Sequence, residues 1–275
     1  MLRLPSLFVK NGVQARRDAK DMLKKHLQLL KIKEHGNVID VGCGPGNVTY
    51  DVLYPLLPKS INKLVGIDVS PKMIKFAKES YENSTVKFVE LDILGDKMPE
   101  DFVGHFDHLV STYCLHLVND QRKALKNMHI MLKPEGNILL NFMSKTFIFD
   151  IYNRMAEKER WKPYFKNLGQ VEPPTASSSN GRQYFERLLK EIGFVTQSSF
   201  ESKKIYVYPE QLFADLVLTV SVFDIPKHLE EEFIWDHMQH LKDNNYVHTD
   251  ADDKLYYHAP YTLLTFCATK SFKYC

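Results

Sequence analysis

The chain has 275 residues, 44% of them hydrophobic, 12% aromatic and 25% charged, proportions that fit a folded globular protein and exclude collagen, coiled coil and wholesale disorder. Thirty-six Lys and Arg against 34 Asp and Glu leave a formal net charge of +2, a balance that speaks against nucleic acid as the main partner, because phosphate binding calls for a basic surface. Cys43, Cys114, Cys267 and Cys275 have no C-x-x-C spacing, and no segment approaches the roughly 18 uninterrupted apolar residues of a membrane span. A reduced, cytoplasmic protein with neither a metal site nor a signal peptide nor a membrane partner is expected.

Along the chain, Ala19, Met22, Leu23, Leu27 and Leu30 recur at helical spacing and predict an amphipathic helix over 14–30. The period then changes. Asn37–Val41 is a short apolar run stopped by glycines, as a buried parallel strand requires. A helix is expected from Asn47 until Pro55 and Pro58 end it. Lys63–Asp68 predicts a second strand, and Ser70-Pro71 a capped helix start. Further strands are expected over 86–92, 106–111 and 137–142, with a helix over 120–132. Five strands alternating with helices predict an α/β fold: a Rossmann-like, doubly wound sheet, mostly parallel, with right-handed crossovers.

Past residue 145 the alternation loosens. Helices are expected over 147–157, 183–192, 210–220 and 227–242, with strands over 194–200, 203–208 and 261–269, the last closing the sheet antiparallel. Residues 172–181 have loop composition. The whole chain therefore reads as a single domain, with a core over 1–145 and a helical substrate cap with closing strands over 146–275. Phe147, Phe149, Tyr152, Trp161, Tyr164, Phe165, Phe213 and Phe223 are core candidates by spacing, and some of them are candidates for an apolar pocket.

The chemistry concentrates in Val38-Ile-Asp-Val-Gly-Cys-Gly-Pro-Gly46, between the first strand and its helix. Gly42, Gly44 and Gly46 let the backbone turn sharply and approach a ligand. Dinucleotide enzymes place G-x-G-x-x-G here; this chain has G-x-G-x-G with Asp40 just ahead. A carboxylate there repels a pyrophosphate and suits a cation with an amino-acid tail, such as S-adenosylmethionine. Asp68 closes the second strand, where an acid accepts hydrogen bonds from ribose hydroxyls. Asp92 and Ile93 close the third, where an acid takes an adenine amino group and an aliphatic neighbour packs on the ring. Three acids at successive strand ends reinforce one another.

The glycine loop resembles that of class I S-adenosylmethionine-dependent methyltransferases. With Gln14-x-x-x-Asp18, Leu64-Val-Gly-Ile-Asp68, Leu115-His116 followed by Asp120-Gln121, and Phe147-x-Phe-Asp-x-Tyr152, the chain resembles more narrowly the insect juvenile hormone acid methyltransferases. That resemblance implies methyl transfer to the carboxylate of a sesquiterpenoid acid such as farnesoic acid or juvenile hormone acid. It implies a cofactor site of Asp40, Gly42, Gly44, Gly46, Asp68, Val69, Asp92, Ile93 and Ser111. On the substrate side it implies Gln14, Tyr113, His116, Leu117 and Phe149, with Gln14 and His116 nearest the reacting carboxylate. The family usually has Trp where this chain has Leu117. A monomer and a homodimer both stand open on the sequence.

A carboxylate is ionised at neutral pH and needs no general base. Alignment and removal of water remain to be supplied, and a neutral donor such as Gln14 suits this better than a cation, which over-stabilises the ground-state anion. Three readings stand at this point: a methyltransferase for a sesquiterpenoid or another small apolar acid, a methyltransferase for RNA or protein, and a non-catalytic ligand carrier of the same fold. Against the second, Ser111-Thr-Tyr-Cys114 stands where an Asn/Asp-Pro-Pro-aromatic motif would be.

Overall fold

The computed structural model describes residues 5–166 and 168–271; Cys275 lies outside them. Two helices, α1 (Pro5–Asn11) and α2 (Val13–His26), open the chain. Where one helix was predicted to Leu30, the last four residues form a 3-10 turn. Gly12 separates α1 from α2, its N–H reaching the Phe8 carbonyl at 2.8 Å.

Strand β1 (Asn37–Val41) is buried at every residue, as a central strand covered on both faces must be. The helix expected after it is a π-helix over Thr49–Leu53 and a 3-10 turn over Tyr54–Leu56, since Pro55 has no N–H to continue an α ladder. Then come β2 (Lys63–Asp68), α3 (Pro71–Tyr81), β3 (Val86–Glu90), β4 (Phe106–Thr112), α4 (Gln121–Met131) and β5 (Leu132–Thr146). Strand β3 ends two residues short of Asp92, which sits in the following turn.

The second half comprises α5 (Phe147–Glu157), the short α6 (Leu168–Val171) and α7 (Pro174–Ser177), α8 (Gly181–Ile192), β6 (Phe194–Pro209), α9 (Glu210–Val220), α10 (Glu230–Asp243), β7 (Val247–Thr249) and β8 (Leu255–Lys270). The predicted loop at 172–181 thus holds a helical turn. The two strands predicted over 194–208 are one 16-residue strand. The reason is β8, which is equally long and pairs antiparallel with β6 from Phe194 opposite Lys270 to Pro209 opposite Tyr256.

The sheet order is β3-β2-β1-β4-β5-β8-β6, with β7 paired to β8. Pairing is parallel from β3 to β5 and antiparallel at β5–β8 and β6–β8. Chain order reverses between β1 and β4, and ligands of such sheets bind beyond the strand ends at that switch. Ile39, Val41 and Leu109 pack one face of the sheet against α4 and α8. Val38, Leu64 and Val110 pack the other face against α2 and α3. A third apolar cluster fills the cap, with Trp161, Phe165, Phe213 and Phe233 among its buried aromatics. No helix among the described residues is long and apolar enough to cross a membrane.

Candidate active site

A cavity opens at the switch point between the carboxyl ends of the central strands and the cap. Its lining includes Gln14 from α2, Asp40, Gly42 and Gly44 from the loop after β1, and Asp68 from the end of β2. Tyr113, His116 and Leu117 come from the turn after β4, and Phe149 from α5. Nine of the predicted cofactor- and substrate-site residues therefore meet in one place.

The three loop glycines divide by function. A Cβ on Gly44, at φ +54°, would meet nothing within 4 Å, so this glycine leaves space for a ligand. A Cβ on Gly42 would lie 2.3 Å from the Cys114 Sγ, and one on Gly46 2.8 Å from Phe88 and 2.9 Å from Ala77. Gly46 thus serves packing between the loop, α3 and β3 and does not line the cavity.

The acceptors come from the strand ends and the glycine loop. Asp40 is 2% exposed and takes a 2.6 Å hydrogen bond from the Thr49 hydroxyl. Burial pushes its pKa up to about 6, and the charge of Asp68 adds to the rise despite the Thr49 bond. Asp68 accepts the Gly44 N–H at 3.0 Å and the Ser70 N–H at 2.9 Å. Burial raises its pKa too, against those two bonds. Ser70 itself caps α3, receiving the Met73 N–H, which leaves Asp68 free of the capping role. Asn47, which sequence reasoning assigned no role, is 4% exposed in the cavity wall, and its side-chain carbonyl oxygen has no partner. Two carboxylates and an orphaned carbonyl suit a ligand with an ammonium and hydroxyl groups, the inventory of S-adenosylmethionine.

The same lining also carries donors without charge. The Gln14 side-chain oxygen accepts from the Tyr208 hydroxyl, so its amide N–H groups face away from that bond. His116 is 6% exposed, and burial pushes its pKa down to about 4. It is a neutral imidazole whose Nδ1 has no partner, and its ring meets Tyr113 edge-on at 5.6 Å. No Lys or Arg lines the cavity among the described residues. Phe147, Ile148, Tyr152, Leu216, Val220 and Val222 complete an apolar wall.

Four further predicted cofactor contacts lie elsewhere. The Ser111 hydroxyl is spent on the Val41 carbonyl at 2.8 Å, tying β4 to β1. Ile93 packs in the core cluster with α4. Asp92, exposed past the end of β3, accepts the Leu94 N–H at 2.8 Å. Val69 is 54% exposed on the same rim. Asn47 went unassigned although it directly follows Gly46 of the glycine loop, the one signal that could have found it; Tyr208, outside the cavity lining, is set against Gln14 by the tertiary fold alone.

A family model described as a methyltransferase domain matches residues 32–193. The chain is 31% identical over 239 residues to the juvenile hormone acid O-methyltransferase of Bombyx mori, covering 86% of this chain and 85% of that one. It is also 31% identical over 268 residues to the enzyme of the same name from Drosophila melanogaster, covering 95% and 90%. Among solved structures, phosphoethanolamine N-methyltransferase 2 of Haemonchus contortus, in complex with S-adenosylhomocysteine, shares the fold. The TM-score is 0.51 at 16% identity, covering 92% of this chain and 53% of that one. The glycine loop, the acids at the strand ends and the sheet order agree with these likenesses: the chain belongs to the class I S-adenosylmethionine-dependent methyltransferases.

Proposed function

We propose that the protein methylates the carboxylate of a small apolar acid of the sesquiterpenoid class, with farnesoic acid and juvenile hormone acid as the first candidates. The observation that carries this reading is the pairing of uncharged donors, Gln14 and His116, with an apolar wall and a lining without Lys or Arg. The similarity to juvenile hormone acid O-methyltransferases supports it.

S-adenosylmethionine supplies an electrophilic methyl group on its sulfonium. Asp40, Asn47 and Asp68 would hold its ammonium and hydroxyl groups. Gln14 and His116 would each donate one hydrogen bond to the acceptor carboxylate, orienting an oxygen lone pair without neutralising it. No proton has to move, since the acid arrives ionised. Phe147, Phe149 and Tyr152 exclude water from the nucleophile and bury the hydrocarbon tail. At about 0.8 kcal/mol per buried CH₂, a fifteen-carbon tail supplies most of the binding energy.

The experiment is incubation with methyl-labelled S-adenosylmethionine and a panel of farnesoic acid, juvenile hormone acid, straight-chain fatty acids, RNA and a protein mixture. Label should appear in a base-labile ester of the sesquiterpenoid acids. Label in RNA or protein with none in any acid sinks the proposal, as does cofactor binding without turnover, the behaviour of a ligand carrier.

A further inference from the structure

A fifteen-carbon tail needs more room than the active-site cavity offers. That cavity holds about 160 Å³, against the roughly 300–1,000 Å³ of ordinary ligand pockets, and the cofactor must share it. Two neighbouring spaces have walls in common with it. One shares Thr146, Phe147 and Phe149, but Lys145, Asp150, Arg154 and Lys203 also line it, a poor match for hydrocarbon. The other is a narrow void in the cap, without room for a water molecule. It shares Phe147, Ile148, Tyr152, Leu216 and Val220 with the active-site cavity. The rest of its lining is Phe213, Val217 and one polar side chain, His237 of α10. Hydrocarbon that outgrows the cavity therefore extends toward His237.

His237 offers that void a fixed chemistry. It is 1% exposed, and its Nδ1 lies 2.7 Å from the Phe233 carbonyl oxygen one turn earlier on α10. A carbonyl only accepts, so Nδ1 carries the proton and donates it there. Burial pushes the pKa down to about 4, and in a neutral ring with Nδ1–H the Nε2 holds a lone pair and no proton. The ring meets Tyr152, which lines both spaces, edge-on at 5.7 Å. Next to it, Asp236 accepts from the Lys158 ammonium at 2.7 Å and from the Trp161 indole N–H, tying α10 to the end of α5. An acceptor-only nitrogen in a dry apolar void sorts tails by their polar groups. A hydroxyl donates to it. An epoxide oxygen has no proton to give, loses its water, and meets a second lone pair.

We infer that His237 is a specificity-determining residue at the far end of the tail pocket: its Nε2 accepts a hydrogen bond from a hydroxyl on the tail and turns away a tail that ends in an acceptor-only oxygen such as an epoxide. The inference rests on the apolar-acid reading above. Of the two candidate acids, farnesoic acid, with no oxygen in its tail, then suits the pocket better than juvenile hormone acid, whose tail carries an epoxide.

The test compares kcat/KM for juvenile hormone acid and for farnesoic acid hydroxylated at the end of its tail. The wild type should favour the hydroxylated acid about tenfold; in His237→Phe, which offers neither donor nor acceptor, the two should come within about twofold of each other. A ratio that His237→Phe leaves unchanged overturns the inference, as does a wild type that prefers the epoxide. A second measurement uses the wild type alone and so decides the matter even should His237→Phe fail to fold. In ¹⁵N NMR of the protein loaded with S-adenosylhomocysteine, where no turnover occurs, the His237 Nε2 should resonate as an unprotonated nitrogen. Adding the hydroxylated acid should move that resonance, and adding farnesoic acid should not; an unmoved resonance overturns the inference. A protein that esterifies no acid yet shows the shift defeats the substrate reading and leaves the subsite standing; an active enzyme without the shift defeats the subsite.

Discussion

Asp68 receives two backbone N–H groups, from Gly44 and Ser70, yet burial still holds its pKa above the usual carboxylate range. It is therefore under-solvated and poised for further donors. Replacing it with alanine should remove two charge-assisted hydrogen bonds from ribose hydroxyls, each worth about 1.5–3 kcal/mol. Calorimetry should show S-adenosylmethionine affinity falling at least about tenfold, with 1.4 kcal/mol equal to one such factor. Asp40 sets a pH dependence. With a pKa near 6 it is protonated in the free protein below that pH, whereas a cationic ligand favours its ionised form. Binding then releases a proton, so affinity should rise with pH, by up to about tenfold per unit below pH 6, and level off above pH 7. Asp40→Asn should remove the slope. His116, at about 4, stays neutral across that window, so kcat should be flat from about pH 6.5 to 8.5. A steep rise there would reveal an unsuspected base. Leu117, 44% exposed at the cavity, offers neither the flat wall nor the indole N–H of a tryptophan. Leu117→Trp should shift selectivity toward farnesoic and juvenile hormone acids over simple fatty acids by about tenfold, or about 1.4 kcal/mol. An equal response from all acids would show that position 117 does not read the substrate.

At the scale of elements, the loop from β1 into the π-helix carries two kinds of glycine that a sequence cannot tell apart. Gly46→Ala brings a methyl group within 2.9 Å of both Phe88 and Ala77 at φ +83°, so overpacking and backbone strain act together. Thermal or urea unfolding should register a loss of about 1–3 kcal/mol. Gly44→Ala meets no neighbour and should cost only about the 1–2 kcal/mol of its left-handed backbone, while obstructing the cofactor. If the larger loss of cofactor affinity belonged to Gly46→Ala, the assignment of the two glycines would be reversed. Parallel strands β1, β2 and β4 were legible as short apolar runs because both faces of each are covered. The full length of β6 was not, since its run of exposed and half-exposed residues resembles a turn until β8 supplies sixteen residues of partner.

For the whole molecule, the cavity is built from both halves of the chain: acids from the parallel strands, a donor from α2, and an apolar wall from α5 and α9. A ligand that binds there only in the native state stabilises core and cap together. At a hundredfold excess over Kd, S-adenosylhomocysteine should add about 2.7 kcal/mol to unfolding and raise Tm by several degrees. Cap and core should still melt in one transition, because β6 and β8 are cap connections that are also strands of the central sheet. Two resolved transitions, with only the first responding to ligand, would show that the halves unfold separately.

What the sequence determined by itself was local chemistry: the alternation of strands and helices, the glycine loop, the acids at strand ends, and the Ser70 cap. Each is written within about ten residues, where periodicity, backbone sterics and capping act. The tertiary structure alone decided which of these groups line the cavity. It directed the Ser111 hydroxyl to Val41 and Ile93 into the core. It also placed Tyr208, 194 residues along the chain from Gln14, against the Gln14 amide. The reason is that a side chain's partners at a packed site are set by sheet order and register, and those depend on contacts between residues hundreds of positions apart.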